Sequence, residues 1–144
     1  MGWAGERSFQ HGDRTDAGEV RALLSLPRTT IVVGVRDGAI VACCSVALRD
    51  VTTTYLGLFA VDPGHQGGAS GRDTMAWAEA FARTELGAQR TVIEVMEHHE
   101  PLGQWYSRLG YQATSARRMV PGSTPDDGAY LLEMVKQLDT AAQD

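Results

Sequence analysis

The sequence predicts an α/β fold: a mixed, mostly antiparallel sheet of about six strands with helices on both faces. Three observations predict it. Six segments rich in β-branched and apolar residues recur along the chain, each bounded by Gly, Pro or Asp punctuation. Helical periodicities separate the third segment from the fourth and the fourth from the fifth. The central strand–helix–strand order favours a parallel pair with a right-handed crossover, whereas the flanking connections are short enough for antiparallel hairpins.

Residues 1–15 are glycine-rich and polar and read as irregular. Asp16 can cap a helix running to about Leu26, with Val20, Leu23 and Leu24 on one side and Pro27 as its stop. Thr29–Val35 and Ala39–Leu48 read as strands, and Asp37-Gly38 between them is a hairpin signal. Thr52–Val61 is a third strand, closed by Asp62-Pro63-Gly64. After a glycine-rich loop, a helix extends to about Leu86, with Met75, Ala78, Ala82 and Leu86 spaced to cover a sheet and Gly87 placed as its C-terminal cap. Gln89–Glu97 carries Val92-Ile93 and Val95-Met96, a pattern of burial on both faces. A short helix over Glu100–Leu109 ends at Gly110. Tyr111–Met119 and Ala129–Leu138 are the last strands, joined through the turn-rich residues 121–128.

Bulk properties narrow the function classes. The 144 residues read as one domain over 1–144, and 43% hydrophobic against 22% charged residues supply a core. Cys43 and Cys44 are adjacent on a strand, point to opposite faces and read as small buried hydrophobes rather than a disulfide. No apolar leader opens the chain and no stretch is long enough for a membrane span, so a cytoplasmic protein without a membrane partner is expected. A net charge of −5 with scattered arginines argues against nucleic acid as a partner. Adjacent His98 and His99 lack chelate spacing, and no metal is expected.

The segment Gln66-Gly67-Gly68-Ala69-Ser70-Gly71-Arg72 follows a strand and opens a helix. Free amides of a first helical turn and the helix dipole favour an anion there, and glycines let the backbone approach it. A flexible turn with no ligand has the same composition. The segment lacks the Gly-Lys-Ser/Thr of a nucleotide-triphosphate loop.

In its context, residues 55–72 resemble the acetyl-CoA motif of the GNAT superfamily of N-acyltransferases, a strand ending Val-x-Pro followed by Gln/Arg-x-x-Gly-x-Gly/Ala at the mouth of a helix. Gln66, Gly67, Gly68, Ser70 and Gly71 fit, while Ala69 stands where glycine is usual. Trp105-Tyr106-Ser107-Arg108-Leu109-Gly110-Tyr111 resembles the superfamily's Tyr-x-x-x-Gly-Phe/Tyr signature, one strand further on. The residues 130–136 resemble its closing strand. His99 and Leu102 stand where many members carry Asn and Ala. The resemblance covers about Thr29–Leu138 and leaves the usual N-terminal strand without a counterpart; a sheet edge exposed in that way would invite a homodimer.

The resemblance implies that the two central parallel strands splay and receive the pantetheine of acetyl-CoA. Phe59 and Val61 would make the main-chain contacts, with an amide near Phe59 or Ala60 aimed at the thioester oxygen. Residues Gln66, Gly67, Gly68, Ala69, Ser70, Gly71 and Arg72 would hold the pyrophosphate, and His99 would take the pantetheine-side position of the asparagine. Tyr106 takes the position of the general acid that protonates the leaving thiolate. The amine, with a pKa of about 10.4 in lysine, needs a base. Glu94, Glu97, His98, His99 and Glu100 are within the candidate region; Glu97, directly or through water, is the choice, and Tyr55 is a further acceptor-side candidate. The expected activity is direct acetyl transfer from acetyl-CoA to a small-molecule or protein amine, without a cysteine relay because both cysteines lie on a strand away from the motifs. The other reading open at this level is an acetyl-CoA-binding sensor with little turnover.

Overall fold

The computed structural model describes residues 17–65 and 69–138. The expected irregular N-terminal segment, the missing first strand and Gln66, Gly67 and Gly68 therefore lie outside the described residues. Nine elements follow in chain order: α1 (Ala17–Ser25), β1 (Thr29–Arg36), β2 (Ala39–Leu48), β3 (Thr53–Val61), α2 (Ser70–Glu85), β4 (Arg90–Met96), α3 (Glu100–Arg108), β5 (Gln112–Met119) and β6 (Tyr130–Gln137). All were expected, with ends moved by one or two residues.

The strands form one six-stranded sheet in the order β1-β2-β3-β4-β6-β5. Only β3 and β4 run parallel, joined through α2; the other neighbours are antiparallel. The β1–β2 turn has the two positive φ values of a type I′ hairpin, 52° at Asp37 and 79° at Gly38. Gly87 closes the α2 end at φ 70°.

Side-chain periodicity explains which faces are buried. Met75, Ala78 and Ala82 of α2 meet Ala42, Cys44 and Val46 of β2, Leu56 and Phe59 of β3, and Ile93 and Val95 of β4 in the main core. Leu102 and Tyr106 of α3 join the same cluster. A smaller cluster, Met96, Val120, Ala129 and Leu131, sits at the far end of β4 and β6. The expected apolar side of α1 is not buried throughout: α1 packs on β1, yet Leu24 is 56% exposed. Helical spacing identifies a stripe but not whether a partner reaches it.

The centre of the sheet departs from regular pairing in two ways. The β3–β4 ladder consists of Thr53–Arg90, Thr54–Thr91 and Tyr55–Val92, after which the two strands have no further register partners. On its other side β3 carries a bulge: Ser45 pairs with Gly57 and Cys43 with Ala60, so one residue of β2 faces two of β3. Leu58 takes φ 45° at this point, an uncommon value for a non-glycine residue.

Candidate functional site

The parallel pair opens toward its C-terminal ends, and three elements meet there. Gly71, in the first turn of α2, lies so close to β3 and α3 that an added Cβ would stand 3.3 Å from the Phe59 ring, 3.4 Å from Val61 and 3.5 Å from Trp105. A methyl group there would have to push the Phe59 ring aside by a few tenths of an ångström. Trp105 stacks on Phe59 at 5.6 Å between centroids, and Tyr106 meets Phe59 at 6.4 Å and Trp105 at 5.0 Å, both edge to face. Tyr106 is 5% exposed, and its ring also abuts Tyr111 at 5.7 Å.

Main-chain direction along β3 separates the expected contacts. The Asp62 amide donates to the Val41 carbonyl at 2.7 Å, and the Ala60 amide faces Cys43 in the same ladder. Ala60 is thus turned toward β2. By alternation, Phe59 and Val61 direct their main-chain groups to the opening between β3 and β4.

Ala69 is the N-cap of α2 and supplies no side-chain hydrogen bond to the first-turn amides. Those amides stand at the positive end of a sixteen-residue helix. Ser70 and Gly71 are buried, and Arg72 is exposed beside them.

His99 makes a bond within its own helix. Its Nδ1 accepts the Leu102 amide at 3.2 Å, making it the N-cap of α3. It also lines a cavity of about 250 Å³ with Gly103, Gln104 and Ser107, on the flank of α3 away from Trp105. A capping acceptor is the role a short polar side chain would fill at that position.

Glu97 is held in an ion pair. Arg117 donates through Nε at 3.0 Å and through a terminal nitrogen at 3.2 Å to its two oxygens, and the guanidinium lies 3.7 Å over the Tyr130 ring. Glu97 also lines the cavity beside His99. Glu94 stands instead at the root of the opening. Val92, two residues earlier on the same strand, is in the last β3–β4 pair, with Tyr55, and the Tyr55 hydroxyl donates to Glu94 Oε1 at 3.1 Å. Arg118 donates to both Glu94 oxygens at 2.7 Å.

Burial pushes the Glu94 carboxyl upward, but the hydrogen bond and charge of Arg118, the Tyr55 hydroxyl and the Arg49 charge outweigh it. The result lies below the ordinary 4.5. A carboxyl depressed in the folded state adds stability that is present above its unfolded pKa and is lost as pH falls through the folded one. Glu94→Gln should therefore destabilise at pH 7 and progressively less below about pH 4.5, by about 1 kcal/mol or less because Arg118 is half exposed. Urea unfolding at several pH values checks this; a wild-type-to-variant gap that stays constant into acid would refute the clamp.

The cysteines differ from expectation in place but not in character. Both are free, with Cys44 buried. Cys43 is not remote from the opening: its thiol donates to the Leu58 carbonyl at 3.4 Å, against the bulge. Burial pushes the Cys43 thiol up, the Ala60 amide offsetting only part, and burial also raises Cys44. Neither is a ready thiolate nucleophile at neutral pH. Among the described residues, no helix is long and apolar enough to cross a membrane, and no group of three or more His, Cys, Asp or Glu comes together as a metal site.

Comparison with known proteins gives the family. The model of the Acetyltransferase (GNAT) family matches residues 3–111. Nourseothricin acetyltransferase has a similar structure at 26% identity and a TM-score of 0.67, over 78% of this chain and 67% of that one. The ribosomal-protein-S18-alanine N-acetyltransferase from Escherichia coli aligns at 18% identity and a TM-score of 0.72, over 87% and 79% of the two chains. A GNAT family acetyltransferase from Elizabethkingia anophelis with acetyl-CoA bound aligns at 13% identity and a TM-score of 0.68, over 85% and 84%. The last two likenesses, at low identity, speak for the fold. No curated protein matches the chain. With its family match spanning most of the sequence and the parallel β3–β4 pair in a six-stranded mixed sheet, this chain belongs to the GNAT acetyltransferase family.

Proposed function

We propose that the chain is a single-domain N-acetyltransferase of the cytoplasm that moves acetyl from acetyl-CoA directly to an amine. The observation that carries this reading is the β3–β4 ladder that stops at Tyr55 and Val92 beside a bulged β3. It leaves Phe59 beyond the last register pair with β4, where an extended pantetheine could run alongside β3. Phe59 would present its amide to the thioester oxygen, a donor fixed before reaction and worth a few kcal/mol in comparable sites. The first turn of α2, with Ser70, Gly71 and Arg72, suits the pyrophosphate, and Gln66, Gly67, Gly68 and Ala69 precede it in sequence.

The residues divide the proton work by position. Tyr106 sits against Phe59, on the α3 side of the opening, and would give its hydroxyl proton to the departing thiolate. Glu94 lies at the base of the same opening and would accept the proton of the ammonium, directly or through water. The protonated forms of the two cysteines fit direct attack by the amine rather than a cysteine relay. The acceptor is a small-molecule or protein amine, since similar folds act on nourseothricin and on ribosomal protein S18 by their names.

Calorimetry with acetyl-CoA, followed by a free-thiol assay over a panel of primary amines, tests the proposal. Micromolar binding and amine-dependent thiol release are expected. Absence of acetyl-CoA binding would reject it; binding without release for any amine would leave a sensor.

A further inference from the structure

Glu94 is the most enclosed carboxylate among the described ion pairs, with its side chain 10% exposed, yet the guanidinium that covers it is 54% exposed. We propose that Arg118 is a stand-in for the acceptor's ammonium: it occupies Glu94 in the resting protein and is displaced when an amine enters. This rests on the acetyltransferase reading and adds to it an autoinhibitory cation at the acceptor site.

Three observations support the exchange. First, the carboxylate is enclosed and the cation is open to solvent. Glu94 projects from a central strand and is held by Tyr55 at 3.1 Å, whereas Arg118 reaches in from β5, the last strand of the sheet. Second, the surroundings are charge-balanced only with one cation on Glu94. Glu133 of β6 is its register partner on the same face, and Glu133 is itself matched by Arg49 at 3.2 Å and by the Thr114 hydroxyl at 3.1 Å. Two carboxylates side by side on neighbouring strands repel unless each is paired. Withdrawing Arg118 without replacement would leave a largely buried charge exposed to that repulsion, so the uncovered form should stay the minor one until another cation arrives. Third, both Arg118 contacts are made by nitrogen donors to carboxylate oxygens, which an ammonium can replace without changing the sign or number of charges.

The groups facing Glu94 are thus Tyr55 from β3, Glu133 from β6, Arg118 from β5 and, more distantly, Arg49 from the β2–β3 turn. Arg117, the next residue along, points to the opposite face and holds Glu97. It serves as an internal control.

The test is a titration of isotope-labelled protein with propylammonium chloride, at fixed pH and ionic strength, followed by the Arg118 Nε–H and Glu94 amide resonances. In the wild type the Arg118 resonance should leave its paired position as the Glu94 signal saturates. If the arginine covers Glu94 in about nine molecules of ten, Arg118→Gln should lower the half-saturating concentration about tenfold. Arg118→Lys should fall between, Arg117→Gln should match the wild type, and Glu94→Gln should abolish saturation. An unchanged or raised half-saturation in Arg118→Gln, or no saturable shift at Glu94 in that variant, overturns the proposal. Should Arg118→Gln fail to fold, the Arg118→Lys comparison and the wild-type Arg118 resonance decide. Acetyl-CoA calorimetry on the same samples separates the two claims: loss of that binding would sink the acetyltransferase reading, whereas retained binding with no exchange would sink only this one.

Discussion

Tyr106→Phe is expected to lower kcat by about 100-fold or more while the Kd for acetyl-CoA stays within about twofold. The split follows from where Tyr106 sits. Its ring contributes packing against Phe59, Trp105 and Tyr111, and phenylalanine preserves all three contacts. What disappears is one hydroxyl. A thiolate leaving without a proton is a poor outcome for the enzyme only in the transition state, so the loss belongs in kcat. Trp105 should behave in the opposite way. It stacks on Phe59 and contacts the α2 mouth at Gly71, so truncating it should loosen the cleft and raise the Kd. Equal losses of turnover and affinity in Tyr106→Phe would assign the residue to binding instead of proton transfer. Stopped-flow turnover and calorimetry on one preparation measure both quantities.

The fold was legible in the sequence because its signals are local. The Asp37-Gly38 turn, the stop at Gly87 and the β-branched runs each depend on a few neighbouring residues, and the structure places all of them as expected. At the candidate site, the positions of Gly71 at the mouth of α2 and of Tyr106 on α3 were legible because they depend on helix boundaries, whereas their contacts with Phe59 and Trp105 depend on packing. The sequence favoured Glu97 over Glu94, and which arginine reaches which carboxylate could not be read from it. Arg117 and Arg118 differ by one residue and so take opposite faces, and the register shift between Ala113 and Arg117 sets their phase. No pattern in residues 112–119 announces that shift. Cys43 was misplaced for a similar reason. It is remote from the motifs along the chain, but antiparallel register returns it to Ala60 at the bulge. His99 read as a cofactor contact because an asparagine is frequent there in the family; its capping bond to Leu102 is a different use of the same acceptor geometry.

The largest stability effect is expected from a group that never touches substrate. Glu79→Ala should cost about 3 kcal/mol and lower Tm by about 10 °C. Glu79 projects from α2 with its side chain 12% exposed and accepts Lys136 at 2.8 Å on one oxygen and the Tyr111 hydroxyl at 2.8 Å on the other. Tyr111 is also linked to the Thr91 hydroxyl at 2.8 Å, and Tyr111 and Thr91 are among the most buried side chains of the protein. The carboxylate therefore joins α2 to β4, to the start of β5 and to β6. Its removal leaves an ammonium and a phenol without their shared acceptor in a low-dielectric setting. Lys136→Met should cost less, about 1–2 kcal/mol, since the lysine is 27% exposed and the remaining carboxylate keeps Tyr111. Tyr111→Phe should fall in the same range, because it removes one donor while the ring still fills its space. A double-mutant cycle between Glu79 and Tyr111, read by urea unfolding, should return a coupling of about 1 kcal/mol or more. Additive losses would mean that the three groups share a location but not a network. The consequence reaches the reaction centre through packing: Tyr111 presents the edge-to-face surface on which Tyr106 rests, and its amide donates to the Tyr106 carbonyl at 3.1 Å. A tyrosine anchored from behind by a buried carboxylate holds its neighbour's hydroxyl still, so the folding network and the proposed proton donor should respond together when Glu79 is lost.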